Sequence, residues 1–449
     1  MADRTPATGR IARAFGFPAP LAVALLLAAA LPGGAVAAEG PAARTLEEVL
    51  HATLASEESL QVAEAEVRKA ELRSRRYLLY LTPEVQLQGS YTRSGVQDAD
   101  ADGASAEKAV AWGLALTQPL YTGGRATAAY RGQKKIEASQ RLEAELTRRG
   151  LVVAVTQAYY RVLAAAEAVG VGEQAVGLAR RQLARAARRV ELGDAVLNDQ
   201  LRAEVSLRRL EAELSGFRSA LAQGREEIRR LSGLSLASDP AVPPPQPQIA
   251  GSDESLVAEA LGARREPEQA RLAVAAAEED VREKQGRYLP SLVLNASWGE
   301  SGEKLRDQSW AWSAGVALVV PIYQSGSTTY ELRESRVGLA QERLRAGGSS
   351  RDVEREVRGL LRELEAARSR RESLQLAVVA AAENLRLSER RYEVGLAESL
   401  EVADAQNADV AARVDLVAAG YAIEALTVQL RNALGRELLP VPGNAEPGR

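Results

Sequence analysis

Few residues of the sequence have the types and spacing that catalysis or cofactor binding would require. The one histidine, His51, has no candidate nucleophile near it and is predicted to be a surface residue. The chain has no cysteine, which excludes disulfides, zinc thiolates and cysteine nucleophiles. The pairs Gly123-Gly124 and Gly347-Gly348 lack the Gly-Lys-Ser/Thr ending of a phosphate loop. The sequence therefore predicts no enzyme, no metal site and no cofactor.

Composition points to an elongated helical protein. Aromatic residues are only 4% of the chain, with three Phe, whereas a single compact core of this size would normally contain more aromatic bulk. Long helices that pack through small residues do not need that bulk. The net charge of −3 at pH 7 is mild and argues against nucleic acid as a partner.

The first 38 residues have the pattern of a secretory signal peptide. Arg4, Arg10 and Arg13 form the positive region, 21–31 the apolar core and 35–38 the small-residue cleavage site. The alternative is an N-terminal membrane anchor, but this apolar core is too short to span a bilayer comfortably. Without cysteine, a lipid-modified N-terminal cysteine is excluded.

A short strand-to-helix element occurs twice in the chain. Pro119 and Gly124 belong to the first copy, and Pro321 and Gly326 follow them by 202 positions. Proline ends strand pairing and glycine permits the sharp turn before a helix. The same offset relates two further pairs of glycines, Gly193/Gly395 and Gly233/Gly435. The fixed register predicts an internal two-fold repeat of a long helical hairpin.

The repeats have predicted boundaries. The first, 39–238, contains a helix at 45–80, strands at 84–95 and 109–118, and a helical hairpin at 124–232. The second, 252–439, contains a helix at 252–287, strands at 291–298 and 310–320, and a hairpin at 326–434. A Pro-rich linker, 239–251, joins them, and a disordered tail is predicted at 440–449.

The four predicted strands alternate between apolar residues and small or polar ones. All four tryptophans of the chain fall in these strands: Trp112, Trp298, Trp310 and Trp312. An apolar outer face with Trp near its ends is typical of transmembrane β-strands with an aromatic girdle. The alternative is a soluble four-stranded sheet packed on helices.

Strand number constrains assembly if these strands lie in a membrane. Four strands cannot close a barrel, and lipid does not tolerate open sheet edges. Two copies would give eight strands, a barrel size that side chains fill, so a lumen needs three or more copies.

Each strand-to-helix element leads into a very long helix. Nearly seventy helical residues extend roughly 100 Å, which calls for a coiled-coil-like partner. The returning segments, 196–232 and 398–434, show heptad-like apolar spacing and more than one apolar row. A closed ring of helices would supply neighbours on more than one side. Gly347-Gly348 predicts a kink or local unwinding of the second long helix.

Together these features resemble the TolC-type outer-membrane efflux family, also called outer membrane factors. The resemblance rests on the signal peptide, the duplicated plan, the Gln-Pro-Leu-Tyr-x-Gly-Gly element at 118–124 and the turn at 394–397, and it covers about 45–436. The fold it implies is an α+β membrane protein, with a long α-helical coiled-coil tunnel and a transmembrane β-barrel to which each protomer gives four strands. It implies a homotrimer in the outer membrane of a Gram-negative bacterium, in contact with outer-membrane lipid, with a periplasmic helical domain.

The resemblance also implies partners at the periplasmic tips. In the family the tips meet a periplasmic adaptor protein that is itself attached to an inner-membrane pump. Val394, Gly395, Leu396 and Ala397 match the adaptor-contacting motif well. The first tip, with Leu192, Gly193 and Asp194, keeps the glycine but departs from the motif around it.

Gate residues follow from the same resemblance. Glu401 and Asp404 match an acidic ring at the tunnel constriction, Asp199 a gating acid and Tyr392 a gate tyrosine. Threefold symmetry would bring like charges together, which attracts cations. The alternative for each carboxylate is a solvated helix-face group. Ala397 stands where some members carry a gating Arg, so one lock of the family is expected to be absent.

The function predicted from these features is a passive exit duct for an efflux or type I secretion system. The alternative is a periplasmic or surface coiled-coil structural protein that lies outside the membrane.

Overall fold

The computed structural model describes residues 45–96, 105–193, 196–237, 240–302 and 309–438. The signal peptide predicted at 1–38 and the tail predicted at 440–449 lie outside these residues.

The described residues form twelve elements, in two successive series of helix, helix, strand, strand, helix, helix. In chain order they are α1 (Leu46–Ser56), α2 (Glu58–Leu79), β1 (Glu84–Val96), β2 (Ser105–Tyr121), α3 (Arg125–Glu191), α4 (Leu197–Ser232), α5 (Asp253–Ala263), α6 (Arg265–Gly286), β3 (Ser291–Gly302), β4 (Ser309–Val319), α7 (Ser327–Glu393) and α8 (Ser399–Ala433). Equivalent helices have matching lengths: 11 residues for α1 and α5, 22 for α2 and α6, and 67 for α3 and α7.

The first helix of each repeat is divided, where the sequence predicted single helices over 45–80 and 252–287. The breaks fall at Glu57 and Arg264, and both residues have extended backbone angles. Each break lets the short helix lay its apolar face on the long hairpin. Leu46, Val49 and Leu50 of α1 enter a core with α3 and α4, whereas Leu256, Val257 and Ala260 of α5 enter a core with α7 and α8. Tertiary packing therefore overrides a locally continuous helical pattern.

The strands form one antiparallel sheet in the order β1-β2-β3-β4, so pairing of β2 with β3 joins the two repeats. The strand predicted at 109–118 is longer in the structure, Ser105–Tyr121, and runs through Pro119. Proline has no N–H to donate, and the ladder shifts register between Pro119 and Tyr121 instead of ending. In the second repeat β4 stops at Val319, before Pro321.

The two faces of the sheet differ in chemistry. Trp298 pairs with Trp312 across β3 and β4 and meets Trp112 edge to face at 5.6 Å between ring centroids. Leu114, the β2 partner of Trp298, lies on the same apolar face. The opposite face is small and polar: the hydroxyls of Ser297 and Ser313 lie 2.9 Å apart, and Gly113 pairs with Gly299.

Glycines set the turn geometry at equivalent points of the two repeats. Gly124 and Gly326 cap the long helices with φ of 79° and 76°, a left-handed conformation that side-chain-bearing residues rarely adopt. Gly193 and Gly395 at the hairpin turns have φ of 80° and 76°. The spacing of the repeats is therefore fixed by backbone conformation as well as by helix length.

In the part of the chain that the structure describes, four separate buried clusters lie along the helices. α3 contains a stretch apolar enough to cross a membrane by length and composition, but Val155, Tyr159 and Val162 of this helix are fully buried in the first cluster.

α7 passes through Gly347 and Gly348 as unbroken helix, so the predicted local unwinding is wrong. Interior glycine costs about 1 kcal/mol, which packing along a long helix offsets.

A buried carboxylate ties α2 to α3. Glu137 accepts hydrogen bonds from Ser74 at 2.6 Å, from Lys134 at 2.9 Å and from Arg141 at 2.8 Å. Burial raises the pKa of this carboxyl, but the hydrogen bonds from Lys134 and Ser74 outweigh burial and hold the pKa below its usual range. The ionised form is therefore the one that stabilises the fold.

Replacing Glu137 by Gln should lower stability at neutral pH, by about 1–3 kcal/mol for a buried charged hydrogen-bond network. Because the folded-state pKa is lowered, the stabilisation is present above the unfolded pKa of about 4.3 and is lost as pH falls through the folded value. Melting followed by circular dichroism from pH 7 to pH 3 should show a smaller acid destabilisation for E137Q than for wild type. E66Q, which removes an exposed carboxylate paired with Lys69, is the control. Parallel pH curves for wild type and E137Q would contradict the assignment.

Candidate functional site at the hairpin tips

Each long hairpin turns at a glycine and exposes apolar side chains there. The exposed fractions are 75% for Leu192 beside the first turn, and 69% and 72% for Val394 and Leu396 at the second. In the second turn the Leu396 N–H donates to the Arg391 carbonyl at 2.8 Å, which closes the end of α7. Asp194 of the first tip lies outside the described residues. Exposed apolar groups on a rigid turn are suited to contact with a partner.

The two hairpins are tied together at the tips by polar contacts. Arg202 of α4 forms an ion pair with Glu398 at 2.7 Å, and Ser399 donates to Asp199 at 3.3 Å. Between the long helices, Arg185 of α3 pairs with Glu393 of α7 at 3.3 Å. These contacts run from one repeat to the other, so they resist separation of the hairpins.

Tyr392 lies at the centre of this contact region. The Arg189 guanidinium stands over its ring at 5.1 Å and donates to its backbone carbonyl at 3.2 Å. The ring packs on a small cluster that includes Val402 and Ala405. Its hydroxyl is buried and has no hydrogen-bond partner within the described chain. The sequence predicted both Asp199 and Tyr392 as gate residues. The structure does not join them by a hydrogen bond, since Asp199 accepts from Ser399 instead.

The acids of the second hairpin have different surroundings. Glu401 accepts from Arg391 at 2.6 Å and from Ser388 at 3.4 Å, so its charge is largely compensated within its own hairpin. Asp404, one turn further along α8, is exposed. It has no ion-pair partner within the part of the chain that the structure describes. Of the predicted acidic ring, Asp404 therefore carries the uncompensated charge.

The arginines of the site were missed by sequence reasoning. Arg185, Arg189 and Arg202 contact residues 208, 203 and 196 positions away, close to the repeat offset of 202. Equivalent positions of the two repeats lie side by side. Oppositely charged residues about 202 positions apart in the sequence could therefore have predicted these contacts. Among the described residues no group of His, Cys, Asp and Glu is arranged to hold a metal ion.

Comparison with known proteins agrees with this architecture. TolC of Escherichia coli (strain K12) is 25% identical over 375 residues, which cover 79% of this chain and 75% of TolC. The outer membrane efflux protein BepC of Brucella suis biovar 1 is 27% identical over 283 residues, covering 62% of each chain. The crystal structure of the outer membrane protein VceC of Vibrio cholerae shares the fold with a TM-score of 0.74 at 20% identity, over 88% of this chain and 97% of VceC.

A family model covers both repeats. The model described as "Outer membrane efflux protein" matches residues 49–234 and 256–436, which is more than half of the chain and includes both tips and all four strands. This chain belongs to the outer membrane efflux protein family.

Proposed function

We propose that three copies of the chain close one barrel and one helical tunnel. As a family member, the protein is an outer-membrane exit duct of an efflux system. The observation that carries the proposal is the four-stranded sheet, which has an apolar face bearing tryptophans and two edges without a partner strand among the described residues. Lipid excludes open edges, and eight strands from two copies would leave no lumen. Twelve strands from three copies satisfy both constraints.

The helices extend the barrel into a periplasmic tunnel. α3 and α7 each have 67 residues, which extend roughly 100 Å. With α4 and α8 beside them, each copy gives four helical rods, and three copies give twelve. Leu344, Leu376 and Val379 of α7 are at least 70% exposed and are available to neighbouring copies. Their burial against a neighbour would make tunnel assembly favourable.

The hairpin tips are the proposed gate and docking end. Asp404, with Glu401, forms the acidic ring at the constriction, and Tyr392 and Asp199 hold the hairpins in the closed arrangement. A periplasmic adaptor, attached to an inner-membrane pump, docks on the turns that expose Leu192 in the first hairpin and Val394 and Leu396 in the second. Gly193, Gly395 and Ala397 complete the docking surface, and Asp194, which the sequence adds to the first tip, lies outside the described residues. The pump supplies the energy, so the duct conducts passively.

The lipid-facing assignment of the sheet is tested by paired substitutions on β4. Val316 shares the apolar face with Trp312, whereas Ser313 lies on the opposite face. A cation near the bilayer centre costs about 2–4 kcal/mol on a lipid-facing strand position. V316R should abolish recovery of trimer from the outer-membrane fraction, and S313R should assemble and lower conductance. Normal assembly of V316R, or equal failure of both, would contradict the assignment.

The contacts between hairpins are tested through Arg202. An exposed ion pair contributes about 0.2–1 kcal/mol, and three copies act together at one constriction. R202A should therefore raise single-channel conductance in planar bilayers, and the exchanged pair R202E with E398R should restore the low value. R209A is the matched control, since Arg209 pairs with Glu213 on its own helix. A conductance of R202A equal to that of R209A would remove the pair from the gate.

The acidic ring is tested by removing one carboxylate at either of two positions of α8. D404N should lower the preference for cations over anions, because it removes an exposed carboxylate at the constriction. D415N removes the same charge about 16 Å further along the helix and should have a smaller effect. Replacing both Glu401 and Asp404 by Ala should lower the preference further. Reversal potentials in a salt gradient measure each value, and unchanged selectivity of D404N would rule out the ring.

A further inference from the structure

A cavity far from the tips in sequence lies where the Pro-rich linker contacts the helices. Its volume is about 400 Å³, and α3, α7, α8 and the linker line it. Tyr160 and Tyr421 form one wall, with ring centroids 6.2 Å apart and planes tilted by 34°. Pro243 and Pro245 of the linker add apolar surface. The cavity therefore offers aromatic and apolar walls to a ligand.

Two carboxylates in this cavity lack cationic partners. Glu167 accepts a hydrogen bond from the Tyr421 hydroxyl at 2.5 Å, and Glu424 accepts one from the backbone N–H of Gln246 at 2.9 Å. Both donors are neutral, so neither hydrogen bond brings a positive charge to the carboxylate. Within the described part of the chain, no Lys or Arg nitrogen lies within 4.0 Å of either. Burial and the charge of Glu167 raise the pKa of Tyr421, as expected beside an uncompensated anion.

Arg371 of α7 also lines the cavity but forms no ion pair with either carboxylate. Two carboxylates and one guanidinium leave one uncompensated negative charge among aromatic and proline surfaces. Carboxylates attract a cation, aromatic faces stabilise one through the ring quadrupole, and an apolar body fills the remaining space.

We propose that this cavity binds an organic monocation with an apolar body, such as an aromatic ammonium ion. Glu167 and Glu424 provide the charge, and the two tyrosine rings and the linker prolines contact the body. The ligand would bridge the linker and α8, far along the helices from the acidic ring.

Isothermal titration of the full-length protein in an uncharged maltoside detergent tests the proposal. Benzyltrimethylammonium should bind once per chain, and benzyl alcohol, with the same ring but no charge, should bind at least tenfold more weakly. Benzoate should not bind. Combining E167Q with E424Q should weaken binding of the cation at least tenfold, whereas R371Q should strengthen it several-fold because a competing positive charge is removed.

Two controls separate this site from others. E173Q removes a carboxylate of α3 that is paired with Arg218 outside the cavity, and it should leave affinity unchanged. D404N should also leave it unchanged, which distinguishes this cavity from the acidic ring at the tips. If the double Gln variant fails to fold by circular dichroism, the increase expected for R371Q still tests the proposal. Equal affinity for benzyl alcohol, or unchanged affinity in folded E167Q with E424Q and in R371Q, would overturn it.

Discussion

The architecture depends on the backbone hydrogen-bonding groups at the two outer edges of the sheet, which have no partner strand within the described chain. The sheet has four strands, and these edges belong to β1 and β4. In water such edges would be hydrated, but an apolar face bearing Trp298, Trp310 and Trp312 is suited to lipid, where unpaired peptide groups cost several kcal/mol each. Closure with other copies is the solution proposed above. In that proposed assembly the helices would continue the curvature of the barrel, and four separate buried clusters among the described residues are consistent with such an elongated arrangement.

The sequence predicted those parts of the fold in which a residue type or a spacing has a single structural explanation. Glycine at positive φ is such a case: Gly124, Gly193 and their counterparts 202 positions later lie in the left-handed region. Strand faces were also predictable, because alternation of apolar and polar residues has a single period. The membership of the outer membrane efflux protein family agrees with the function predicted from these features, and it removes the alternative of a structural protein outside the membrane.

Prediction from the sequence failed where tertiary contacts determine the ends of helices and strands. Nothing local marks the break at Glu57, which exists because α1 buries Val49 against α3 and α4. Pro119 was expected to end its strand. Instead, the pairing of β2 with β3 shifts register after Pro119 and continues at Tyr121. Gly347 was expected to loosen α7, but the helix is continuous through it. The contacts between the tips were hidden for the same reason, since their partners lie about 200 positions apart.

Divergence of the two repeats gives the two tips different contacts. Arg189 and Arg391 are equivalent, as are Asp199 and Glu401, since each pair is separated by 202 positions. In the second hairpin this Arg and this acid bind each other, so the hairpin closes on itself. In the first hairpin both reach across: Arg189 covers Tyr392, and Asp199 accepts from Ser399. The second hairpin therefore retains its internal ion pair when the contacts with the first are broken, so it is the one suited to move as a unit. In the proposed gate, the contacts from the first hairpin are those that docking of a partner would have to break.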